Sequence, residues 1–251
     1  MDTIRFEEAR RRILVPGERE RRGIGMQMEK TLHAVFKYYE DPDEDHHEIP
    51  IEGYIADIFT GRGIIEIQNG NFGKMREKLE TFLLLWPVRI VYPLPHIKHV
   101  TWIDPETGAQ GKRSRSPKRG SFYDAFRELC RIRSFLADPH LSIELLLVDM
   151  EEYRLQDGWG KNGKRGSHRF DRVPISLAGE LLLDSPRDYL AFLPYELPEE
   201  FTSADVAKHA GFRRDGFSSV LLVLRELGVI ERTGEKRGRA WLYRIAPSFR
   251  D

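Results

Sequence analysis

The stretch "GIIEIQNGNFGKMREKLE", residues 63–80, decides how the first half of the chain is read. Period-two alternation puts Ile65 and Ile67 on one face of a strand and Glu66 and Gln68 on the other. A Lys-rich helix follows, with Met75 and Leu79 on its apolar stripe and Lys74 and Lys78 sharing the opposite face. Just upstream, "IPIEGYIADIF" (49–59) reads as a strand and "TGRG" (60–63) as a tight turn. Asp57 interrupts an apolar run between Ala56 and Ile58, and a mid-strand acid is costly unless it is ligated or hydrogen-bonded. Strands joined by so short a turn usually pair about 4.8 Å apart, which brings Asp57 and Glu66 together. Two carboxylates and the Ile67 carbonyl form an all-oxygen donor set of the kind that holds Mg²⁺ or Mn²⁺. The alternative is a structural pair of acids on a polar face, Asp57 bonded to Arg62 and Glu66 to Lys74, with Asn71 capping the helix.

The 251 residues suffice for one large domain or for a medium and a small one. Forty basic and forty acidic residues cancel, and ordinary apolar content with high charge indicates a globular chain. No stretch approaches the ~18 apolar residues of a membrane span, so no membrane partner is expected. The opening "MDTIRFEEARRRILVP" carries charge where a signal peptide needs an apolar core, and a cytoplasmic protein is expected. The lone Cys130 excludes an internal disulfide and a multi-cysteine zinc site, and beside Phe126 and Leu129 it reads as core packing. The histidine pairs His46/His47 and His96/His99 lack a third ligand at useful spacing. No P-loop follows a strand, so no nucleotide cofactor is expected. Base concentrates in three Gly-punctuated runs, residues 111–120, 160–169 and 234–239, which favour a polyanionic partner.

Along the chain, a helix over residues 18–39 precedes strands at 49–59 and 64–70, a helix at 73–86 and a doubly buried strand at 88–94. A basic insertion, a helix at 121–136 and a strand at 141–151 complete the unit. This is an α/β domain, placed at residues 1–175, whose mixed sheet is covered by helices on both faces.

A helix with Glu29, a strand with Asp57, a turn, a strand with "EIQ" at 66–68 and a helix: this order resembles the PD-(D/E)XK (restriction-endonuclease-like) nuclease fold, the core of many restriction and DNA-repair endonucleases. The resemblance implies a metal on Asp57, Glu66 and the Ile67 carbonyl, and hydrolysis of a phosphodiester in DNA. Where the family usually has lysine, this chain has Gln68. An amide orients a water but is no base near neutral pH. Lys74, nearest the end of the strand, is the expected migrated lysine that offsets charge on phosphorus. Glu29 either holds a second metal through water or is a surface acid. The resemblance also raises a partner subunit, a homodimer, for cutting both strands.

Residues 176–251 read as a small second domain. "FTSADVAKHAG…VLRELGVIERTGEKRGRAWLYRI" offers a capped short helix, a longer helix and two strands joined by a basic turn. A first helix is expected after Ser185, with Pro186 in its first turn. The pattern resembles a winged helix-turn-helix domain. That resemblance implies that the helix near residues 212–219, with Arg213, Arg214 and Ser218, faces nucleic acid. The wing residues Lys236, Arg237 and Arg239 would touch phosphate. The expectation is therefore a metal-dependent DNA endonuclease with a winged-helix DNA-binding domain. The rival readings are a non-catalytic DNA-binding regulator and an interaction scaffold on a degenerate nuclease fold.

Overall fold

The computed structural model describes residues 1–14, 31–156, 168–210 and 217–250. Two N-terminal helices, α1 (Thr3–Leu14) and α2 (Thr31–Glu40), pack through apolar positions at helical spacing. Phe6 meets Phe36 at 5.9 Å and Tyr39 at 6.1 Å between ring centroids, and this layer covers one face of the sheet over Ile67, Val91, Leu146 and Val148. The expected helix over 18–39 is helical from Thr31 onward, while residues 15–30, Glu29 among them, lie outside the described residues.

The sheet contains, among the described residues, seven strands: β1 (His47–Ile51), β2 (Tyr54–Phe59), β3 (Ile64–Ile67), β4 (Val88–Ile103), β5 (Ser114–Arg115), β6 (Leu141–Leu155) and β7 (His168–Leu183). Their order is β1-β2-β3-β4-β6-β7, with β5 beside β4. The β1/β2, β2/β3 and β6/β7 pairs are antiparallel, whereas β3/β4 and β4/β6 are parallel. The parallel β3/β4 step requires a crossover, and α3 (Arg76–Phe82) supplies it, burying Leu79 and Phe82. The α/β expectation with a mixed sheet between helical layers therefore holds.

Several details differ from the sequence reading. Residues 49–59 form a hairpin, because Glu52 (φ 47°) and Gly53 (φ 82°) both take the left-handed conformation that a tight two-residue turn requires. The helix expected at 121–136 is a series of short turns: a 3₁₀ segment Phe122–Ala125, α4 (Phe126–Leu129) and a second 3₁₀ segment Cys130–Ile132. The domain boundary drawn at residue 175 falls inside β7, whose ladder with β6 continues to Leu183.

Beyond β7 come the expected first helix, a 3₁₀ helix Pro186–Phe192, then α5 (Ser203–His209), α6 (Phe217–Glu226) and the hairpin of β8 (Ile230–Arg237) and β9 (Ala240–Ile245). A capping box between Thr202 and Asp205 starts α5. This unit shares its core with the second face of the sheet. Phe126 meets Phe192 edge-on at 4.6 Å, Tyr123 lies 5.5 Å from Phe217, and the Cys130 thiol donates to the Ser219 carbonyl at 3.4 Å. Burying each of these phenylalanines contributes about 1.5–3 kcal/mol. The two units are therefore fused through one continuous apolar core. No helix among the described residues is long and apolar enough to cross a membrane.

Candidate active site

The β2/β3 ladder pairs Ile58 with Ile65 and Phe59 with Ile64, and no pairing extends beyond them. At the next step carboxylates replace backbone carbonyls as acceptors. The Asp57 N–H donates to Glu66 Oε1 at 3.3 Å, and the Ile67 N–H donates to Asp57 Oδ2 at 2.8 Å. Each acid thus closes the backbone gap on the other's strand, which explains how an acid is tolerated within an apolar run.

Helices from both layers reach this point. His33 on α2 places Nε2 3.1 Å from Asp57 Oδ2. Lys78 on α3 donates from Nζ to Glu66 Oε2 at 2.6 Å and to the Ile55 carbonyl at 2.6 Å. Glu66 is 1% exposed and Lys78 18% exposed at the side chain, so this pair is shielded from the screening that weakens a surface ion pair.

The two acids titrate in opposite directions. Burial, followed by the Asp57 charge, pushes the Glu66 carboxyl up to about 7 against the pull of Lys78. Burial also acts to raise Asp57, but the His33 hydrogen bond and charge, the Ile67 N–H and Lys78 outweigh it and hold Asp57 below its ordinary value. Near neutral pH the site therefore pairs a fixed carboxylate with one poised to take or release a proton.

The structure brings Asp57, Glu66 and the Ile67 backbone together, as the sequence suggested. It places the lysine differently. Lys74 is exposed in a 3₁₀ turn, Phe72–Met75, that precedes α3, so it does not share a helical face with Lys78, and Lys78 carries the charge to Glu66. Gln68 is half-buried; its N–H bonds to the Val91 carbonyl at 2.9 Å and its amide makes no hydrogen bond among the described residues. The alternative pairings, Asp57 with Arg62 and Glu66 with Lys74, do not form. Asn71 takes the left-handed conformation without a side-chain cap, and the Phe72 N–H goes instead to Glu128 Oε2 at 3.0 Å.

Among the described residues no three His, Cys, Asp or Glu side chains are grouped to hold a metal. The donor chemistry still fits a hard divalent cation: two carboxylates on paired strands, with Asp57 Oδ1 accepting no hydrogen bond from the described residues. His33 missed notice in the sequence because only the packing of α2 across the sheet brings it to Asp57.

In the C-terminal unit, Ser218 and Arg239 line one surface hollow with Arg225, Arg232 and Trp241. The Lys236 ammonium lies 4.3 Å from the Trp241 ring centroid. Arg237 is turned away from this hollow to Asp205 Oδ2 at 3.1 Å and the Glu200 carbonyl at 3.3 Å. Arg213 and Arg214 lie outside the described residues.

A family model described as "Domain of unknown function (DUF8091)" matches residues 30–184, which include Asp57, Glu66 and Lys78 and end next to the last residue of β7. An uncharacterized protein of Treponema pallidum (strain Nichols) is 28% identical over 220 residues, covering 87% of this chain and 86% of the relative. No solved structure matches.

Proposed function

The chain belongs to the DUF8091 family, and we propose that it is a metal-dependent nuclease that hydrolyses phosphodiester bonds in DNA. The observation that carries this reading is the 2.6 Å contact of Lys78 with the buried Glu66 beside Asp57, two acids and a cation converging where two strands part. The element order supports a restriction-endonuclease-like assignment: α2, an antiparallel run β1-β2-β3, the α3 crossover and parallel β4. The short helix, longer helix and hairpin at 203–245 support the winged-helix reading.

A divalent cation held by Asp57, Glu66 and the Ile67 carbonyl would supply charge neutralisation and water activation. The chain's own residues do the rest. His33 and the Ile67 N–H fix the Asp57 carboxylate. Lys78 holds the Glu66 carboxylate in place and sets its ammonium beside the charge that builds on phosphorus. The Gln68 amide, free of protein partners among the described residues, is available to orient a water. The Ser218/Arg239 hollow and Lys236 supply phosphate contacts that steer the duplex.

A second reading is DNA binding without cleavage, favoured by the engagement of both Glu66 oxygens within the protein. Incubating supercoiled and linear DNA with Mg²⁺ or Mn²⁺ separates the two. Cleavage by the wild type that disappears in Asp57→Ala and Glu66→Ala supports the nuclease. Intact DNA with retained salt-sensitive binding supports the second reading.

A further inference from the structure

The edge of β4 that faces β3 is paired only in part. β3 ends opposite Val91, and β5 takes up the same edge at His99 and Val100. Between them, Tyr92–Lys98 has no strand partner on that side among the described residues, and Pro93 and Pro95, which cannot donate to a ladder, sit in this gap. The chain at 116–120 bridges it loosely, through Ser116 N–H to the Lys98 carbonyl at 2.8 Å and Gly120 N–H to the His96 carbonyl at 2.9 Å. What remains is a cavity of about 360 Å³. It begins at Asn69, three residues beyond Glu66, or roughly 10 Å along an extended chain.

Its wall is cationic. Lys98, Lys118, Arg127, Arg169 and Arg172 line it, against the acids Asp124 and Glu128. Beneath lies Glu152, fully buried, which receives Lys98 at 3.3 Å, Arg154 at 2.5 Å, Arg169 at 3.4 Å and Arg172 at 3.0 Å. One carboxylate cannot neutralise four cations, so the cluster carries excess positive charge in a protein of zero net charge. Lys118 is bound to Asp124 at 2.8 Å, and exposed Arg127 has no partner among the described residues. The Asn69 oxygen is buried in the same cavity wall with no hydrogen bond among the described residues, and calls for a donor from whatever occupies the space.

We propose that this gap in the sheet is a subsite that seats a backbone phosphate of a nucleic-acid strand, anchored by Arg127, Arg169, Arg172 and Lys98, beside the Asp57/Glu66 centre. The identity of the strand rests on the nuclease reading; the phosphate chemistry rests on the cavity alone. The cations hold the phosphate oxygens, and Asn69 takes a donor from the attached nucleoside. Buried Glu152 keeps four long side chains aimed at one place, since it holds them before any ligand arrives.

The test is fluorescence anisotropy of a labelled single-stranded oligonucleotide with the full chain in EDTA, so that binding is read without cleavage. Arg127→Ala and Arg169→Ala, neither of which removes a buried group, are expected to weaken binding roughly tenfold each. Each should also lower the slope of log affinity against log salt by about one contact. Because binding is read in EDTA, without cation or cleavage, its outcome separates failure of the subsite from failure of the catalytic reading. A mononucleotide arm distinguishes the source of the phosphate. If a mononucleotide raises the melting temperature and the oligonucleotide does not bind, the strand subsite is overturned. Affinity and salt slope unchanged in both arginine variants, with circular dichroism showing them folded, overturn it as well.

Discussion

Lys78 Nζ and Glu66 Oε2 lie 2.6 Å apart, joining the crossover helix to the strand that carries the second acid. The pair is inward-facing and sits beside a second carboxylate, so it differs from a surface ion pair in both geometry and consequence.

Glu66 makes stability depend on pH with a defined sign. Its folded value of about 7 lies above the ordinary 4.5, so the folded state holds a proton that the unfolded chain has released. Its contribution is fully present below pH 4.5 and is lost as pH rises through about 7, an effect of order 3 kcal/mol. Glu66→Gln lacks this titration. Urea denaturation should therefore show wild type losing stability relative to Glu66→Gln between pH 4.5 and 7, and a constant difference across that window contradicts the assignment.

The same titration predicts how divalent cations stabilise the protein. A cation on Glu66 needs the ionised form, so Mg²⁺ should raise the melting temperature more at pH 8 than at pH 6. Asp57→Ala should abolish the increment at both values. An equal increment in the variant places the cation elsewhere.

His33 contacts Asp57 Oδ2, which on the proposed metal-site reading makes it a positioning residue. His33→Ala is expected to weaken Mn²⁺ binding about 10- to 100-fold while leaving the fold intact, as loss of a group that orients a ligand does. Titration calorimetry checks this, and unchanged affinity removes His33 from the site.

Glu152 is the hub of four cations and has no exposure of its own; burial acts to raise it, but Arg172, Lys98, Arg154 and Arg169 together hold it down to about 2. Glu152→Gln leaves those cations facing one another and is expected to destabilise the protein by about 3 kcal/mol, measured as a lower urea midpoint at constant slope. Adding phosphate should restore part of the loss.

Much of the Asp57/Glu66 site could be read from residue order, because Asp57, the turn and Glu66 are local and their alternation survives folding. What escaped depends on longer range or on subtle backbone choices. The Glu52–Gly53 turn lies inside an apolar run and lacks the Asn-Gly or Asp-Gly signature that marks such turns. Strand β7 contains Pro174, which reads against a strand, yet β7 closes the edge of the sheet, where proline is tolerated. Lys74 and Lys78 look equivalent at helical spacing until the 3₁₀ turn removes Lys74 from the helix. The Glu152 cluster draws on β4, β6 and β7 and exists only through their register, with Glu152 opposite both Val100 and Arg172.

The most direct test of the catalytic account is the single-turnover rate of DNA cleavage in Mn²⁺ for wild type, Lys78→Ala and Lys74→Ala. The account predicts a loss of about 10²- to 10³-fold in Lys78→Ala and a wild-type rate in Lys74→Ala. Equal rates in wild type and Lys78→Ala, or a loss confined to Lys74→Ala, would contradict it.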